Sequence, residues 1–466
     1  MAESKAVKKF KFPDSFVLIG ILILITAILT YVVPSGVYDM VKNEAGTSVV
    51  DPNSFHFVER TPTTIIQLFK AFYVGLSRNY ATIFLVMLVG GYFKVINETK
   101  AISNGLSILF GKMKDRALLI LPFVLICFHI LGTTGVVVNS VVAFIPLGLL
   151  VASQMGLDRI AAVGIIYAAC YGGWGTSFMG ATSVQLAQSI AGIPILSGVG
   201  LRLVVTAITG VATVIYVMRY CSKVKKDPEA SYLYGTEWAD FGAMKHVDGV
   251  YTFGVKEAII LVLTFGGIII YVIGTVKYGW GNDWFMAILL FVAIVSGKLV
   301  GMSLNEIAQT FMKGLREMSY GAILIGWASI ISVLLTDGKI IHTLIWAASL
   351  PLRAMPGTIG AVMMFLINSV FNFFVPSASG QAAIVMPIMG PLADVVGLSR
   401  QISVLAYQYG DGLSNTIVPT SGVLMGVLGV AEIPFQKWLK FMIPLFLIWT
   451  VICALAMVAS VMIGYH

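Results

Sequence analysis

Long apolar segments recur along the whole chain and constrain its fold more than any other feature. A helix of about 20 apolar residues crosses a bilayer. Only 11% of the 466 residues are charged, whereas a soluble protein carries about a quarter. The sequence therefore predicts an all-α polytopic membrane protein. Uninterrupted apolar segments lie at about 15–34, 80–97, 198–219, 257–274, 283–300, 320–336 and 441–463.

The first of these segments is expected to be a retained membrane helix. It runs from Ser15 to Val33, which is longer than the apolar core of a signal peptide. It ends at Pro34-Ser35-Gly36 without an Ala-x-Ala cleavage pattern.

The basic residues and the cysteines exclude two other classes of function. The net charge is +8, but most lysines and arginines lie in short loops between apolar segments, as the positive-inside rule requires. Nucleic-acid binding is therefore not expected. The four cysteines are scattered, so the sequence predicts neither a disulfide framework nor a metal site.

Two other stretches are apolar but repeatedly interrupted by Gly, Pro, Ser, Thr and Asn. Non-helical backbone is tolerated at membrane depth only where it is buried in protein or lines a wet cavity. We therefore predict re-entrant hairpins and broken spans, which give about nine transmembrane helices and two hairpins. The predicted hairpins are about 117–153 and 357–395, and the predicted broken spans are about 160–192 and 401–431.

Short matches at a nearly constant spacing indicate an internal duplication. Pro146 corresponds to Pro387 and Arg159 to Arg400, both 241 residues apart (387 minus 146 and 400 minus 159). Other matches continue the series upstream and downstream. They include Gly75 with Gly314 at an offset of 239 and Pro194 with Pro434 at an offset of 240.

Clusters of lysine and arginine predict the orientation. Those at 5–11, 112–116, 223–226 and 437–440 are all expected on the cytoplasmic side. This places the N-terminus in the cytoplasm and the C-terminus outside it, in the inner membrane of a bacterium. The two repeats then have opposite orientations. They are predicted at 1–220 and 256–466, joined by a cytoplasmic linker at 221–255.

The interruptions of these two apolar stretches supply polar groups that could bind a substrate or an ion. A broken helix exposes carbonyls at one end and N–H groups where it resumes. The N-terminal ends suit a carboxylate, and carbonyl and hydroxyl oxygens suit a small cation such as Na⁺. Close helix packing by small residues is the alternative reading of each cluster. The clusters are Gly132-Thr133-Thr134-Gly135, Gly172-Gly173-Trp174-Gly175-Thr176-Ser177, Pro376-Ser377-Ala378-Ser379 and Gly410-Asp411-Gly412-Leu413-Ser414-Asn415-Thr416.

These clusters, together with Asn139 after the first and Thr420 and Ser421 after the last, supply the candidate site residues. The substrate candidates are Thr133, Thr134, Asn139, Thr176, Ser177, Ser377, Ser379, Thr420 and Ser421. The cation candidates are Asp411, Ser414, Asn415 and Thr416.

Two titratable residues leave alternatives open. Asp411 is the only acid in the clusters, and an acid inside a membrane segment is costly enough to be paired or functional. It would ligate a cation, carry a proton, bind a substrate ammonium or cap the next half-helix. His129 is either a proton carrier or a packing residue, and packing is the preferred interpretation.

At these residues the sequence resembles the C4-dicarboxylate anaerobic carrier family, particularly its YfcC-like branch, which also contains arginine/ornithine antiporters. The resemblance covers nearly the whole chain and is strongest over Val396–Ile433, including Gly410-Asp411-Gly412 and Pro419-Thr420-Ser421-Gly422. It implies the inverted-repeat fold of a larger ion-transporter superfamily that includes AbgT-type transporters. It also implies a homodimer and an elevator motion.

The resemblance implies a cation site as well. Ser414-Asn415-Thr416 matches a signature that contributes to Na⁺ and substrate binding in related groups, whereas the first half has Gly175-Thr176-Ser177 in that place. The antiporters have acids just after the first hairpin tip. Here that segment is Val136 to Ser140, which contains none.

We therefore expect a secondary active transporter of a small carboxylate-bearing metabolite, a C4-dicarboxylate or an amino acid, coupled to Na⁺ or H⁺. Exchange of basic amino acids is the alternative, and a channel is a further rival. An enzyme is not expected, because the five histidines are dispersed and no membrane segment carries two acids. No cofactor is expected beyond a coupling ion.

Overall fold

The structure is a computed structural model that describes residues 14–42, 48–51, 53–102, 104–105, 108, 118–236, 253–355 and 357–466. The lysines at 5–11 and the basic cluster at 112–116, which set the predicted orientation, lie outside the described residues. Within them, eight helices are long and apolar enough to cross a membrane. Seven coincide with the uninterrupted segments, and the eighth, Gly357–Phe374, is the first arm of the predicted second hairpin. The all-α polytopic fold is confirmed.

The first half of the chain contains nine described α-helices and two short pairs of antiparallel strands, which fill the connection between the first two helices. The helices are α1 (Ser15–Val32), α2 (Ile65–Arg78), α3 (Tyr80–Glu98), α4 (Ile120–Thr134), α5 (Ile145–Gln154), α6 (Arg159–Val163), α7 (Ala169–Gly175), α8 (Leu186–Ala191) and α9 (Val199–Lys226). The strand pairs are β1 (Gly36–Val37) with β4 (His56–Phe57), and β2 (Met40–Lys42) with β3 (Ser48–Val50). Segments of π-helix, Gly164–Ala168 and Ala181–Gln185, adjoin α7 and α8.

The second half repeats this order, with an additional long helix, Asn282–Leu299, in the place of the strand-containing connection of the first half. Its described α-helices are α10 (Val255–Tyr278), α11 (Asn282–Leu299), α12 (Leu304–Asp337), α13 (Ile341–Ser349), α14 (Gly357–Phe374), α15 (Ala378–Val395), α16 (Arg400–Ser414), α17 (Gly422–Ala431) and α18 (Phe435–Met462). Helices α4 and α5 lie in the first stretch predicted to be a re-entrant hairpin, and α14 and α15 lie in the second.

The pair α2 and α3 is the counterpart of α12, and the two run antiparallel. Gly75 packs against Gly326, where an added Cβ would lie 2.7 Å from the carbonyl oxygen. Its repeat partner, Gly314, packs against Gly90 so closely that an added Cβ would overlap that backbone. The equivalent residues Gly75 and Gly314 therefore each pack against a glycine of the opposite half, because small residues let membrane helices approach.

The two broken spans also make reciprocal contacts, in which an arginine at the start of each binds the end of the other. Arg159, at the start of α6, donates to the carbonyl of Ala431 at the end of α17, at 3.2 Å. Its repeat partner Arg400, at the start of α16, donates to the carbonyl of Ala191 at the end of α8, at 2.8 Å. Each arginine satisfies a free helix-end carbonyl of the other half and opposes the negative end of its dipole. Division into inverted repeats stays a prediction that these reciprocal contacts support.

Left-handed backbone recurs at equivalent positions in the two halves. Lys100 and Lys339 have φ of 57° and 56° and lie 239 residues apart (339 minus 100). The pairs Gly156 with Gly397 and Gly192 with Glu432 behave likewise at offsets of 241 and 240 (397 minus 156 and 432 minus 192). Non-glycine residues rarely adopt this conformation, so its repetition supports the duplication independently of helix packing.

The helices fall into two groups that meet along a seam. The outer group is α1–α3 with α10–α12, and the inner group is α4–α9 with α14–α18. The seam is closest between α12 and α17, where an added Cβ on Gly429 would lie 2.6 Å from the Cα of Gly321. This close, apolar seam positions the site described next.

Candidate functional site

A polar cavity of about 350 Å³ lies at the seam, between the two hairpin tips and the two broken spans. It is lined by Arg78, Asn79, Thr82, Gly135, Val138, Asn139, Tyr171, Trp174, Thr182, Ile325, Pro376, Ser377, Ala378, Ser379, Asn415, Ser421, Gly422 and Val423. The first three residues and Ile325 belong to the outer group, and the others belong to the inner group.

The backbone breaks lie later than the glycine clusters that predicted them. Helix α7 continues through Gly175, and α16 continues through Ser414 before the chain unwinds. The cluster Gly410-Asp411-Gly412 is therefore helical, which corrects its assignment to unwound backbone. Its glycines serve close packing instead, because an added Cβ on Gly412 would lie 3.0 Å from the backbone nitrogen of Gly175.

A side chain of each half donates a hydrogen bond to the broken helix end of the other half. Tyr167 donates its hydroxyl to the carbonyl of Asn415 at 3.1 Å. Gln408 donates its amide to the carbonyl of Trp174 at 2.6 Å. Both donors and both acceptors are separated by 241 residues (408 minus 167 and 415 minus 174), so the two contacts are equivalent. These bonds satisfy carbonyls at the helix ends and fix the breaks beside the cavity.

Two helix N-termini meet at the cavity. Ser377 caps α15 by accepting from the Gly380 N–H at 3.3 Å, and Ser421 caps α17 by accepting from the Leu424 N–H at 3.4 Å. The residues that follow each cap line the cavity. Their backbone N–H groups donate no hydrogen bond among the described residues, as expected in a first helical turn. The N–H groups and the helix dipoles make this wall of the cavity favourable to an anion.

Arg78 is the only charged residue among the described residues that line the cavity. It ends α2, beside the single-residue break at Asn79 that separates α2 from α3. It forms none of the ion pairs found among the described residues. The cavity therefore combines one cation with two positive helix ends.

Four of the nine predicted substrate residues line the cavity. These are Asn139, Ser377, Ser379 and Ser421. The hydroxyls of most of the others are bonded to nearby carbonyls, as in Thr133 to His129 at 2.9 Å and Ser177 to Thr133 at 2.6 Å. The predicted residues that do not line it are Thr133, Thr134, Thr176, Ser177 and Thr420.

Asp411 does not line the cavity; it is fully buried in α16, one helical turn before Asn415, which does line it. Neither carboxylate oxygen has a hydrogen-bond partner among the described residues. Its neighbours include Tyr171, close enough to interact with it electrostatically. Since an uncompensated buried charge is costly, this carboxylate requires a proton or a cation.

Amide side chains surround the backbone of Asp411. Asn415 donates to its carbonyl at 2.8 Å, and Asn372 donates to the same carbonyl at 3.1 Å and to the Ser414 hydroxyl at 2.8 Å. The Oδ1 atom of Asn372 has no partner among the described residues. Carboxylate and amide oxygens are ligands suited to a hard cation. Among the predicted cation residues, only Asn415 also lines the cavity, whereas Thr416 donates to the Leu413 carbonyl.

Sequence reasoning missed several of these residues. Arg78 lies between the apolar residues of α2 and those of α3, and a single arginine at that position was the available signal. Asn372 lies one helical turn from Asn368 in the apolar segment 357–374. Two amides at that spacing in a membrane segment were the available signal.

His129 lies away from the cavity lining. Its ring nitrogens contact the carbonyl of Ala169 at 3.2 Å and that of Thr206 at 2.9 Å. The side chain thus joins α4, α7 and α9, which agrees with the preferred packing interpretation.

Comparison with known proteins identifies the family. The family described as DcuC, C4-dicarboxylate anaerobic carrier, matches residues 12–462. The chain belongs to this family. Its relatives include the Escherichia coli (strain K12) protein named "Putative basic amino acid antiporter YfcC", which is 32% identical over all of this chain and 99% of its own.

Other similar proteins are more distant. A Haemophilus influenzae protein named "Uncharacterized protein" is 28% identical over 96% of both chains. Among solved structures, the Alcanivorax borkumensis YdaH transporter is 16% identical, with a TM-score of 0.42, and covers 97% of this carrier and 99% of its own chain. Neisseria gonorrhoeae MtrF is 17% identical, with a TM-score of 0.41, and the match covers 96% of this chain and 95% of MtrF.

Proposed function

We propose that this carrier is a secondary active transporter of a small carboxylate-bearing metabolite, a C4-dicarboxylate or an amino acid. The observation that carries the proposal is the polar cavity at the seam, which is lined both by Arg78 and by the capped N-termini of α15 and α17. The substrate carboxylate would accept hydrogen bonds from those N–H groups and from Ser377, Ser379 and Ser421.

We further propose coupling to Na⁺ or H⁺ through Asp411, with Asn415 and Ser414 beside it. The support is the buried carboxylate, which has no partner among the described residues. A cation or a proton there would offset the cost of burying its charge. Asn415, which both lines the cavity and binds the Asp411 carbonyl, would connect ion binding to substrate binding.

Transport by an elevator motion of the inner group along the outer group is a proposal that rests on the position of the cavity. A site between two bodies is exposed alternately when one of them moves. The homodimer, the bacterial inner membrane and the cytoplasmic N-terminus remain proposals that rest on the family resemblance and the charge pattern.

Exchange of basic amino acids is the second candidate. The name of the E. coli relative favours this candidate. In that case Asp411 would bind the ammonium group of the substrate. The cationic wall of the cavity opposes it, because Arg78 would repel a cationic side chain at short range. A pore remains the third candidate.

A thermal-unfolding screen of the purified protein tests the substrate class. Succinate, fumarate and aspartate should raise the unfolding temperature in a saturable manner, because a ligand of the folded state stabilises it. Arginine and ornithine test the second candidate, and NaCl is compared with KCl at equal ionic strength. Stabilisation by ornithine or arginine, which are cations overall, but not by succinate, fumarate or aspartate would reject a preference for anionic substrates and favour the second candidate.

A further inference from the structure

Arg78 occupies a position that the repeat does not require. The counterpart helix α12 is continuous through Glu317, which is equivalent to Arg78 at an offset of 239 (317 minus 78), whereas α2 ends at Arg78 and α3 begins at Tyr80. Asn79 stabilises this end by donating to the Gly75 carbonyl at 3.0 Å. The break is therefore specific to the first half, and it places a cationic side chain at the cavity.

The serines that line the same cavity as Arg78 belong to the other group of helices. Ser377, Ser379 and Ser421 lie on the inner group, and Arg78 lies on the outer group with α12 behind it. No acid lines the described part of the cavity, so its charge is uncompensated there. An anion in the cavity would contact both groups at once.

We infer that Arg78 is a substrate-binding residue that selects for carboxylates and holds them across the seam. This inference rests on the proposed function. The planar guanidinium offers paired N–H donors that match a carboxylate, which a lysine ammonium does not. Because the arginine lies on one group and the helix N-termini lie on the other, movement of the groups breaks this contact and releases the substrate.

The test compares Arg78→Gln and Arg78→Lys with the control variant Arg316→Gln. Arg316 follows the equivalent Gly-Leu pair in α12, is exposed and does not line the cavity. Dissociation constants for succinate and aspartate are measured by thermal unfolding. Arg78→Gln should weaken both by about tenfold or more. Arg78→Lys should weaken them by a smaller factor, and Arg316→Gln should leave them unchanged.

A second readout separates binding from a structural role. Arg78→Glu should weaken binding of the anions succinate and aspartate and improve the relative affinity for ornithine, which is a cation overall, whereas loss of a merely structural arginine would weaken all three alike. Unfolding temperatures without ligand check that each variant is folded, and Arg78→Lys supplies the comparison if the others are not.

The possible failures are distinguishable. If succinate and aspartate do not stabilise the wild-type protein, the proposed function fails. If they stabilise the wild-type protein and Arg78→Gln equally, the proposed function stands and the inference about Arg78 is overturned.

Discussion

At the scale of single residues, Asp411 is the group whose surroundings most require an explanation. It is fully buried, and its carboxylate has no partner among the described residues, although amides satisfy its backbone carbonyl. A buried polar group without a partner costs about 1–3 kcal/mol, and more when it is charged. Binding of a cation or a proton at this carboxylate would therefore stabilise the folded protein.

Replacing Asp411 with asparagine should remove the part of that cost that comes from the negative charge, while preserving the shape of the side chain. We expect Asp411→Asn to unfold at the same temperature as the wild-type protein or higher in buffer without the coupling cation. Stabilisation by Na⁺, or by lower pH, should disappear. The control is Asp394→Asn, which removes a half-exposed carboxylate paired with Arg400 at 2.8 Å and should retain the response. An unchanged cation and pH response in Asp411→Asn would reject the cation site.

At the scale of secondary-structure elements, the crossing of the two broken spans determines the geometry of the site. The sequence predicted both breaks from clusters of glycine and hydroxyl residues, but it placed them too early. The glycines at 172–175 and 410–412 are helical because they serve the crossing of α7 with α16. Glycine at a break and glycine at a close contact have the same sequence signature, so only the packing distinguishes them.

Gly412→Ala tests this crossing. The added methyl group would overlap the backbone of Gly175, and overpacking of this kind costs about 1–3 kcal/mol. We expect a lower unfolding temperature and weaker succinate binding, because the breaks shift. Gly266→Ala in α10 is the matched control, since an added Cβ there meets no atom within 4 Å. Equal stability of the two variants would show that the crossing tolerates a side chain.

At the scale of the whole molecule, the sequence predicted the fold more completely than the site. The length of the apolar segments predicts the membrane helices, and the repeated offset near 240 predicts the duplication. Both patterns involve many residues, so they can be recognised in the sequence. The cavity depends on which side chains meet across the seam. Thr133 and Arg78 illustrate the limit: the first belongs to a predicted motif but faces a carbonyl, and the second belongs to none but lines the cavity.

A cross-link across the seam tests whether the two groups move. An added Cβ on Gly426 in α17 would lie 2.8 Å from the Cγ1 of Ile325 in α12, so cysteines at these positions should form a disulfide. Oxidation of Ile325→Cys/Gly426→Cys should stop transport, and reduction should restore it. The control pair Gly267→Cys/Ile288→Cys lies within the outer group, with a corresponding separation of 2.8 Å. Full transport by the oxidised seam variant would contradict the elevator proposal.

Counterflow in proteoliposomes tests the central proposal, that the seam cavity carries a carboxylate by alternating access. Vesicles loaded with unlabelled succinate or aspartate receive a trace of the labelled compound outside. We predict saturable accumulation of label above its external concentration, which Arg78→Gln reduces and Arg316→Gln does not. A flux that only equilibrates the label and does not saturate would contradict the carrier and indicate a pore.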